Sequence, residues 1–235
     1  MTNMSTGRLV GALMLLHLAL GLIGPYVVLV PMTAPPGGFL EKAAAMEITT
    51  RVSVMILIVG ALVPVLVAVA AWRIWRARSP ALSLWMLALA GVNLALQLVE
   101  NAHWLTMLSV SQAHQAADAE AAGAYEAVAI AVLQAFRWAH YGHILILVSW
   151  ILVLFANLGC ARLLPQWLAR LGMAASVVHL MGIPLPEFMG LRLDTAALWG
   201  MPLALVYVGA AFLLIARGFP VDADVPEDKA QVTLC

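Results

Sequence analysis

The chain has 235 residues, of which 64% are hydrophobic and 10% charged, and its formal net charge is zero. A soluble domain carries about 25% charged residues, so this composition is typical of a membrane protein. The balanced charge and the lack of a basic block exclude a nucleic-acid-binding protein. The segments between the apolar runs are too short for a separate soluble domain. We therefore predict one all-α domain over residues 1–219, a polytopic membrane helix bundle.

Six segments are long and apolar enough to cross a bilayer, which requires about 20 helical residues. They lie near residues 9–31, 52–73, 81–108, 130–158, 168–189 and 196–217. The first segment is longer than the apolar core of a signal peptide, so we predict an uncleaved anchor. The fourth is longer than a bilayer needs. We expect its start to project from the membrane or to bend near Gly142.

The basic residues orient these six spans. With the N-terminus inside, the inner segments hold Arg8, Arg73, Arg76, Arg78, Arg162, Arg170, Arg217 and Lys229. The outer segments hold only Lys42, Arg51 and Arg192. Because cytoplasmic loops are enriched in Lys and Arg, both termini are predicted to be cytoplasmic. Residues 220–235 are polar and acidic, and we expect them to form a disordered cytoplasmic tail.

Polar residues interrupt the third span in its outer half. Gln97, Glu100, Asn101 and Trp104 recur at spacings of three and four, so they are expected on one helical face. His103 follows Glu100 by three residues. These polar side chains would be costly in hydrocarbon, which indicates that they face a protein partner or a water-filled pocket.

A second polar group interrupts the fourth span at the same predicted depth. Arg137, His140 and Tyr141 share a face, and His143 lies one step further around the helix. Glu100 and Arg137 are the expected ion pair. The sequence therefore predicts a polar pocket in the outer half of the bundle, with Gln97, Asn101, Trp104, Trp138, Tyr141 and Glu187 as candidate substrate-binding residues.

Three interpretations of this pocket remain open. The pair of Glu100 and Arg137 could be only a structural lock between two helices. Alternatively, Glu100, His103, His140 and His143 could bind zinc or iron, with haem less favoured, since a Glu-x-x-His spacing occurs in carboxylate-bridged helical bundles. In the third interpretation, Glu100, Arg137, His140 and His143 are catalytic: the carboxylate or an imidazole is the general acid or base, and Arg137 stabilises negative charge.

The segment "YGHILILVSWILVLFANLGCARLLPQWLARLGMAASVVHLMG" resembles an uncharacterised family of bacterial integral membrane proteins. A long apolar helix is followed by a short basic turn at Arg162 and by a Leu-Pro-x-x-Leu-x-x-Leu-Gly entry, here Leu164 to Gly172. The segments "GRLVGALMLLHLALGLIG" and "LVYVGAAFLLIARGF" fit the same pattern. The resemblance implies a six-helix bacterial membrane protein with no known activity, and we expect it to lie in the bacterial inner membrane.

The leading functional hypothesis is an intramembrane enzyme that acts on an apolar or lipid-like small molecule. It leads because acid, base and cation side chains coincide at one depth, which exceeds what an ion-pair lock needs. The alternatives are a small-molecule carrier or ligand-binding membrane protein, and a metal- or haem-binding accessory subunit. The carrier hypothesis is weakened by the lack of an internal repeat. The expected partners are the lipid bilayer and the apolar ligand.

Overall fold

The computed structural model describes residues 2–33, 38–185 and 194–220, and these residues form helices without any strand. The α-helices of the described part are, in chain order, α1 Asn3–Ile23, α2 Val30–Thr33, α3 Gly38–Lys42, α4 Glu47–Ala70, α5 Trp72–Arg78, α6 Pro80–Ala116, α7 Ala119–Cys160, α8 Gln166–Gly182 and α9 Asp194–Arg217. A π-helical turn, Gly24–Leu29, follows α1, and a 3-10 turn, Ala44–Met46, precedes α4. The all-α prediction is confirmed.

Five helical segments of the described chain are long and apolar enough to cross a membrane: Asn3–Thr33, Ala44–Ala70, Pro80–Ala116, Glu120–Cys160 and Leu198–Arg217. The protein is therefore a multi-pass membrane protein. The predicted fifth span overlaps α8, whose 17 residues make it shorter than any of these five segments. Part of that predicted span, and residues 221–235 of the predicted tail, lie outside the described residues.

Helices α6 and α7 are longer than the spans predicted from the sequence. Helix α6 has 37 residues and α7 has 42, so most of the connection between the two predicted spans is helical. Helix α7 continues through Gly142 without interruption. Because 42 residues are about twice the length that crosses a bilayer, part of α7 must lie outside the hydrocarbon. This favours the projecting start over a break at Gly142.

The described chain forms two compact units. The first comprises Met1–His17, Leu62–Asn93 and Ile144–Cys235. Its helices approach closely at glycines: a Cβ atom on Gly172 would lie 2.4 Å from the ring of Phe155, and one on Gly182 would lie 2.5 Å from the side chain of Trp199. Small residues at such contacts allow tight van der Waals packing between membrane helices.

The second unit comprises Leu18–Ala61 and Leu94–His143, and it contains the polar residues of interest. Its core consists of buried side chains from α4, α6, α7 and the segments before α4: Val28, Met32, Phe39, Ala43, Val54, Leu57, Trp104, Met107, Leu108, Ala129 and Phe136. Ser111 Oγ donates a hydrogen bond to the Leu40 carbonyl over 2.7 Å and accepts one from the Ala44 N–H over 3.0 Å. These bonds attach the short segments before α4 to α6.

Candidate functional site

The polar face of α6 is buried in the second unit. Gln97, Glu100, Asn101 and Trp104 are all 5% exposed or less, as expected for residues at spacings of three and four on one inward face,. Trp104 belongs to the apolar core of this unit. The face therefore places a carboxylate beside a tightly packed apolar cluster, where an unpaired charge would be costly.

Two imidazoles from α7 bind the two oxygens of the Glu100 carboxylate. His140 Nδ1 lies 3.0 Å from Oε1, and His143 Nδ1 lies 2.7 Å from Oε2. The Glu100 and His143 side chains are 5% and 10% exposed, whereas that of His140 is 29% exposed. The three residues form a carboxylate–bis-imidazole cluster, in which one buried acceptor group holds both rings.

This arrangement determines which ring nitrogens are available for chemistry. An ionised carboxylate only accepts hydrogen bonds, so both Nδ1 atoms carry the hydrogen and donate to Glu100. In His140 and in His143, Nε2 is then the ring nitrogen that does not bind Glu100. Neither Nε2 atom forms a hydrogen bond to any residue that the structure describes. A neutral imidazole in this tautomer can accept a proton at Nε2, and the resulting cation can return it.

The predicted ion pair between Glu100 and Arg137 is not formed. Arg137 is half-buried and has no ion pair within the described parts of the chain. Successive residues of an α-helix are rotated by about 100°, and α7 presents Phe136, His140 and His143 inward rather than the face centred on Arg137. Both carboxylate oxygens are already occupied by imidazole nitrogens. The partners of Glu100 are therefore two titratable imidazole rings and not the predicted guanidinium of Arg137.

Phe136 is the residue of this site that the sequence interpretation missed. It is buried, its ring stacks on His140 with centroids 5.6 Å apart, and it meets Trp104 edge-on at 6.3 Å. These aromatic contacts orient His140 against α6. The sequence spacing could have indicated Phe136. Ala129, Phe136, His140 and His143 fall on one face of a helix when the apolar residues are considered together with the histidines.

Two buried amides of α6 form a short hydrogen-bond chain that reaches α4. Gln97 Nε2 donates to Asn101 Oδ1 over 3.0 Å, and Asn101 Nδ2 donates to the Val54 carbonyl of α4 over 3.4 Å. Hydrogen bonds of this kind between membrane helices contribute about 0.6 kcal/mol on average. Asn101 therefore connects α6 to α4 and Gln97 supports it within α6, while the prediction that both residues bind substrate stays a prediction.

The other candidate binding residues differ in their burial and contacts. Trp138 is 64% exposed and packs edge-on against Tyr141, with centroids 6.1 Å apart. Trp104 is fully buried, and its indole N–H has no hydrogen-bond partner among the described residues. His103 is half-buried and makes no hydrogen bond to a described residue. Glu187 lies outside the described residues.

The geometry does not fit the zinc or iron site predicted from Glu100, His103, His140 and His143. In the described part of the chain, no group of three or more His, Cys, Asp or Glu side chains is arranged to hold a metal ion. Both oxygens of Glu100 face Nδ1 atoms of His140 and His143. His103 does not join them.

A cavity of about 340 Å³ opens in the same unit, beside the later turns of α6. It is lined by Leu105, Thr106, Ser109, Val110, Ala113 and Tyr125, none of which belongs to the carboxylate–bis-imidazole cluster. Thr106 and Ser109 donate their hydroxyl hydrogens to the carbonyls of Ala102 and Leu105 within α6. The cavity therefore presents mainly apolar surface. The predicted cavity around Glu100 itself stays a prediction.

Comparison with known proteins finds one family. The model of the domain of unknown function DUF4386 matches residues 9–218, a segment that includes Glu100, His140 and His143. No curated protein and no solved structure matches the chain. The match confirms the resemblance seen in the sequence.

Proposed function

The chain belongs to the DUF4386 family, and we propose that it is an intramembrane enzyme that performs acid/base chemistry on an apolar small molecule through Glu100, His140 and His143. The observation that carries this proposal is the buried carboxylate that orients two imidazoles by their Nδ1 atoms. A carboxylate that fixes the tautomer of a histidine, with Nε2 directed to the reacting group, is the arrangement used in general acid/base catalysis.

The roles within the cluster follow from burial. His140 is the more exposed of the two rings and is therefore the general acid or base that meets the substrate. The deeply buried Glu100 orients it and is itself held by His143, and Glu100 stabilises the imidazolium that forms after proton uptake. Arg137 lies three residues before His140 and is not engaged by a described carboxylate, so we assign it to stabilising negative charge on the substrate,.

A purely structural lock accounts less well for the same geometry. Fastening α6 to α7 requires a single donor and a single acceptor, and a neutral pair would avoid the cost of burying a carboxylate. The cluster instead contains three ionisable groups within hydrogen-bond distance inside a membrane protein. Ionisable residues within transmembrane segments commonly mark functional sites. The bilayer is also the medium from which an apolar substrate would reach the half-exposed His140.

The experiment that tests this proposal measures turnover in histidine variants. The wild-type protein in nanodiscs is incubated in deuterated water with the apolar fraction of a bacterial membrane extract, and mass spectrometry detects converted or deuterium-labelled species. We expect His140→Ala to lower the rate by about 10²–10⁴-fold, the usual contribution of a positioned acid or base. His103→Ala is the matched control, since it removes an imidazole from α6 outside the cluster, and its rate should change little.

Three outcomes would contradict the proposal. Equal rates for His140→Ala and the wild type would remove the histidine from the chemistry. Retention of an unaltered extract component by the wild type, without conversion, would instead support a carrier or ligand-binding protein. If His103→Ala lowered the rate as much as His140→Ala does, the result would instead support a metal site, because that site requires all three histidines.

We further propose that α8 completes a sixth span, with both termini in the cytoplasm and the protein in a bacterial inner membrane. At about 1.5 Å per residue, the 17 residues of α8 extend about 26 Å, close to the roughly 30 Å of the hydrocarbon core,. The excess of basic residues in the segments assigned to the inside supports this orientation.

A topology experiment separates six spans from five. A reporter fused after Phe219 should report the cytoplasm, and a reporter inserted at Gln115 should report the opposite side. With five spans the two ends of the chain would lie on opposite sides of the membrane. A periplasmic signal after Phe219, together with a cytoplasmic N-terminus, would contradict the six-span topology.

A further inference from the structure

A second cavity, of about 440 Å³, lies in the first unit and is unrelated to the carboxylate–bis-imidazole cluster. Three helix ends of this unit meet around it: the start of α1, the turn between α7 and α8, and the end of α9. Its lining includes Met4, Arg162, Leu164, Pro165, Arg217 and Phe219. The walls are mainly apolar, and two arginines belong to the lining.

Hydrogen bonds and close contacts hold the two turns that carry these arginines. In the turn after α7, the Arg162 N–H donates to the Gly159 carbonyl over 3.0 Å, and the Leu163 N–H donates to the Leu158 carbonyl over 2.8 Å. After α9, the Gly218 N–H donates to the Leu214 carbonyl over 2.8 Å. These are the bonds that close the ends of helices, so the positions of the turns are well defined.

Arg162 occupies a backbone conformation that favours glycine. Its φ angle is 54°, in the left-handed region, where Gly218 at the end of α9 has a φ angle of 69°. At Gly218 the small residue is needed, because a Cβ atom would lie 2.4 Å from the Met4 carbonyl oxygen. A side chain with a Cβ is strained at such a φ angle. An arginine at this position therefore carries a backbone cost that glycine would avoid.

The arginines lie at the level where lipid headgroups are found. Arg217 is the last residue of the span Leu198–Arg217, and Arg162 follows the span Glu120–Cys160 by two residues. Both are exposed, and the neighbouring Trp167 is 67% exposed. Basic and tryptophan side chains at the ends of spans are typical of the interface between hydrocarbon and water.

We infer that this cavity binds an anionic phospholipid, with the phosphate at Arg162 and Arg217 and the acyl chains along the apolar wall near Leu164. Guanidinium groups bind phosphate through paired charge-assisted hydrogen bonds. The depth of the site matches that of a phosphate at the end of an acyl chain, and the apolar lining suits the chain rather than a free anion. The inference does not depend on the proposed acid/base function.

The test is a lipid titration of the purified, delipidated protein in a neutral detergent, followed by native mass spectrometry. The probes are dioleoyl phosphatidylglycerol, dioleoyl phosphatidylcholine and inorganic phosphate. We expect the anionic lipid to bind, the zwitterionic lipid to bind more weakly, and inorganic phosphate not to compete. Arg162→Gln and Arg217→Gln should each raise the Kd for phosphatidylglycerol about fivefold, the usual contribution of one basic residue near an anionic lipid.

Matched variants separate charge from folding. Arg170→Gln removes another exposed arginine, from α8, that does not line the cavity, and it should leave the Kd unchanged. Arg162→Lys and Arg217→Lys keep the charge and should keep most of the affinity. Arg162→Gly relieves the backbone strain, so it should fold at least as well as the wild type and still lose affinity.

Equal affinity for the two lipids would overturn the inference, as would an equal loss in Arg170→Gln. Competition by inorganic phosphate at the affinity of the lipid would indicate a free-anion site and would also overturn it. None of these results would alter turnover in the His140 variant, so failure of the lipid site and failure of the acid/base proposal are distinguishable.

Discussion

Replacing Glu100 with glutamine should lower the free energy of unfolding by about 1–3 kcal/mol, the usual cost of leaving a buried polar group unsatisfied. The carboxylate accepts hydrogen bonds from both His140 and His143. The amide of glutamine keeps one oxygen acceptor and introduces an NH₂ donor opposite the second Nδ1–H. One imidazole must then change tautomer or lose its partner. Denaturant unfolding in detergent gives the energy, and ¹⁵N NMR of the histidine rings gives the tautomers.

Glu47→Gln is the matched control for this variant. Glu47 accepts hydrogen bonds from Arg51 Nε and from Gln112 Nε2, each over 2.9 Å, but its side chain is 41% exposed, so solvent screens the charge and water can replace a lost partner,. Its replacement should change stability by less than about 0.5 kcal/mol. If Glu100→Gln were equally mild and left both rings in the Nδ1–H tautomer, the carboxylate would not be what orients the histidines.

The membrane character and the buried face of α6 could be predicted from the sequence because both follow from local pattern. A long apolar segment in lipid forms a helix, because a helix satisfies every backbone polar group by hydrogen bonds within the segment. Glu100 and Asn101 could be placed on an inward face because their polar groups are costly in hydrocarbon. The helical state of the spans and the inward face of α6 both follow from the residues of a single segment, so neither prediction requires knowledge of the neighbouring helix.

The partner of Glu100 could not be predicted in the same way, because it depends on the rotation of α7 about its axis. In a soluble protein the apolar face of a helix identifies the core, but lipid and core are both apolar in a membrane. The rotation is set by packing, here of Phe136 between Trp104 and His140. Turning α7 by one residue, about 100°, directs either Phe136 or Arg137 toward α6. The sequence interpretation chose Arg137 because its charge is opposite to that of Glu100.

The lengths of the helices were also only partly predictable. The segment around His114 and Tyr125 lies between the third and fourth predicted spans, yet it extends α6 and begins α7. Alanine and glutamine in this segment are strong helix formers, and the His114 and Tyr125 rings meet edge-on at 6.3 Å,. Hydropathy reports where lipid can surround a helix and does not report where the helix ends.

The largest effect is expected when the cluster is dismantled in steps. Glu100→Leu alone leaves the Nδ1–H groups of His140 and His143 without their acceptor and should cost about 1–3 kcal/mol for each donor that water does not reach. Replacing all three residues, Glu100→Leu with His140→Phe and His143→Leu, removes every polar group together. The phenyl ring at position 140 keeps the stack on Phe136. The triple variant should therefore regain most of the stability, because apolar replacements of whole buried ionic clusters are often neutral or stabilising.

The triple variant distinguishes a working site from a structural lock, because it separates stability from activity. If Glu100, His140 and His143 carry the chemistry, the triple variant folds with a melting temperature near that of the wild type and converts no substrate. If they only fasten α6 to α7, activity returns together with stability, since apolar packing then does the same task. Thermal melts of the single and triple variants, measured beside turnover of the membrane extract, decide between the two. A stable and fully active triple variant would remove the basis for an enzyme built on this cluster.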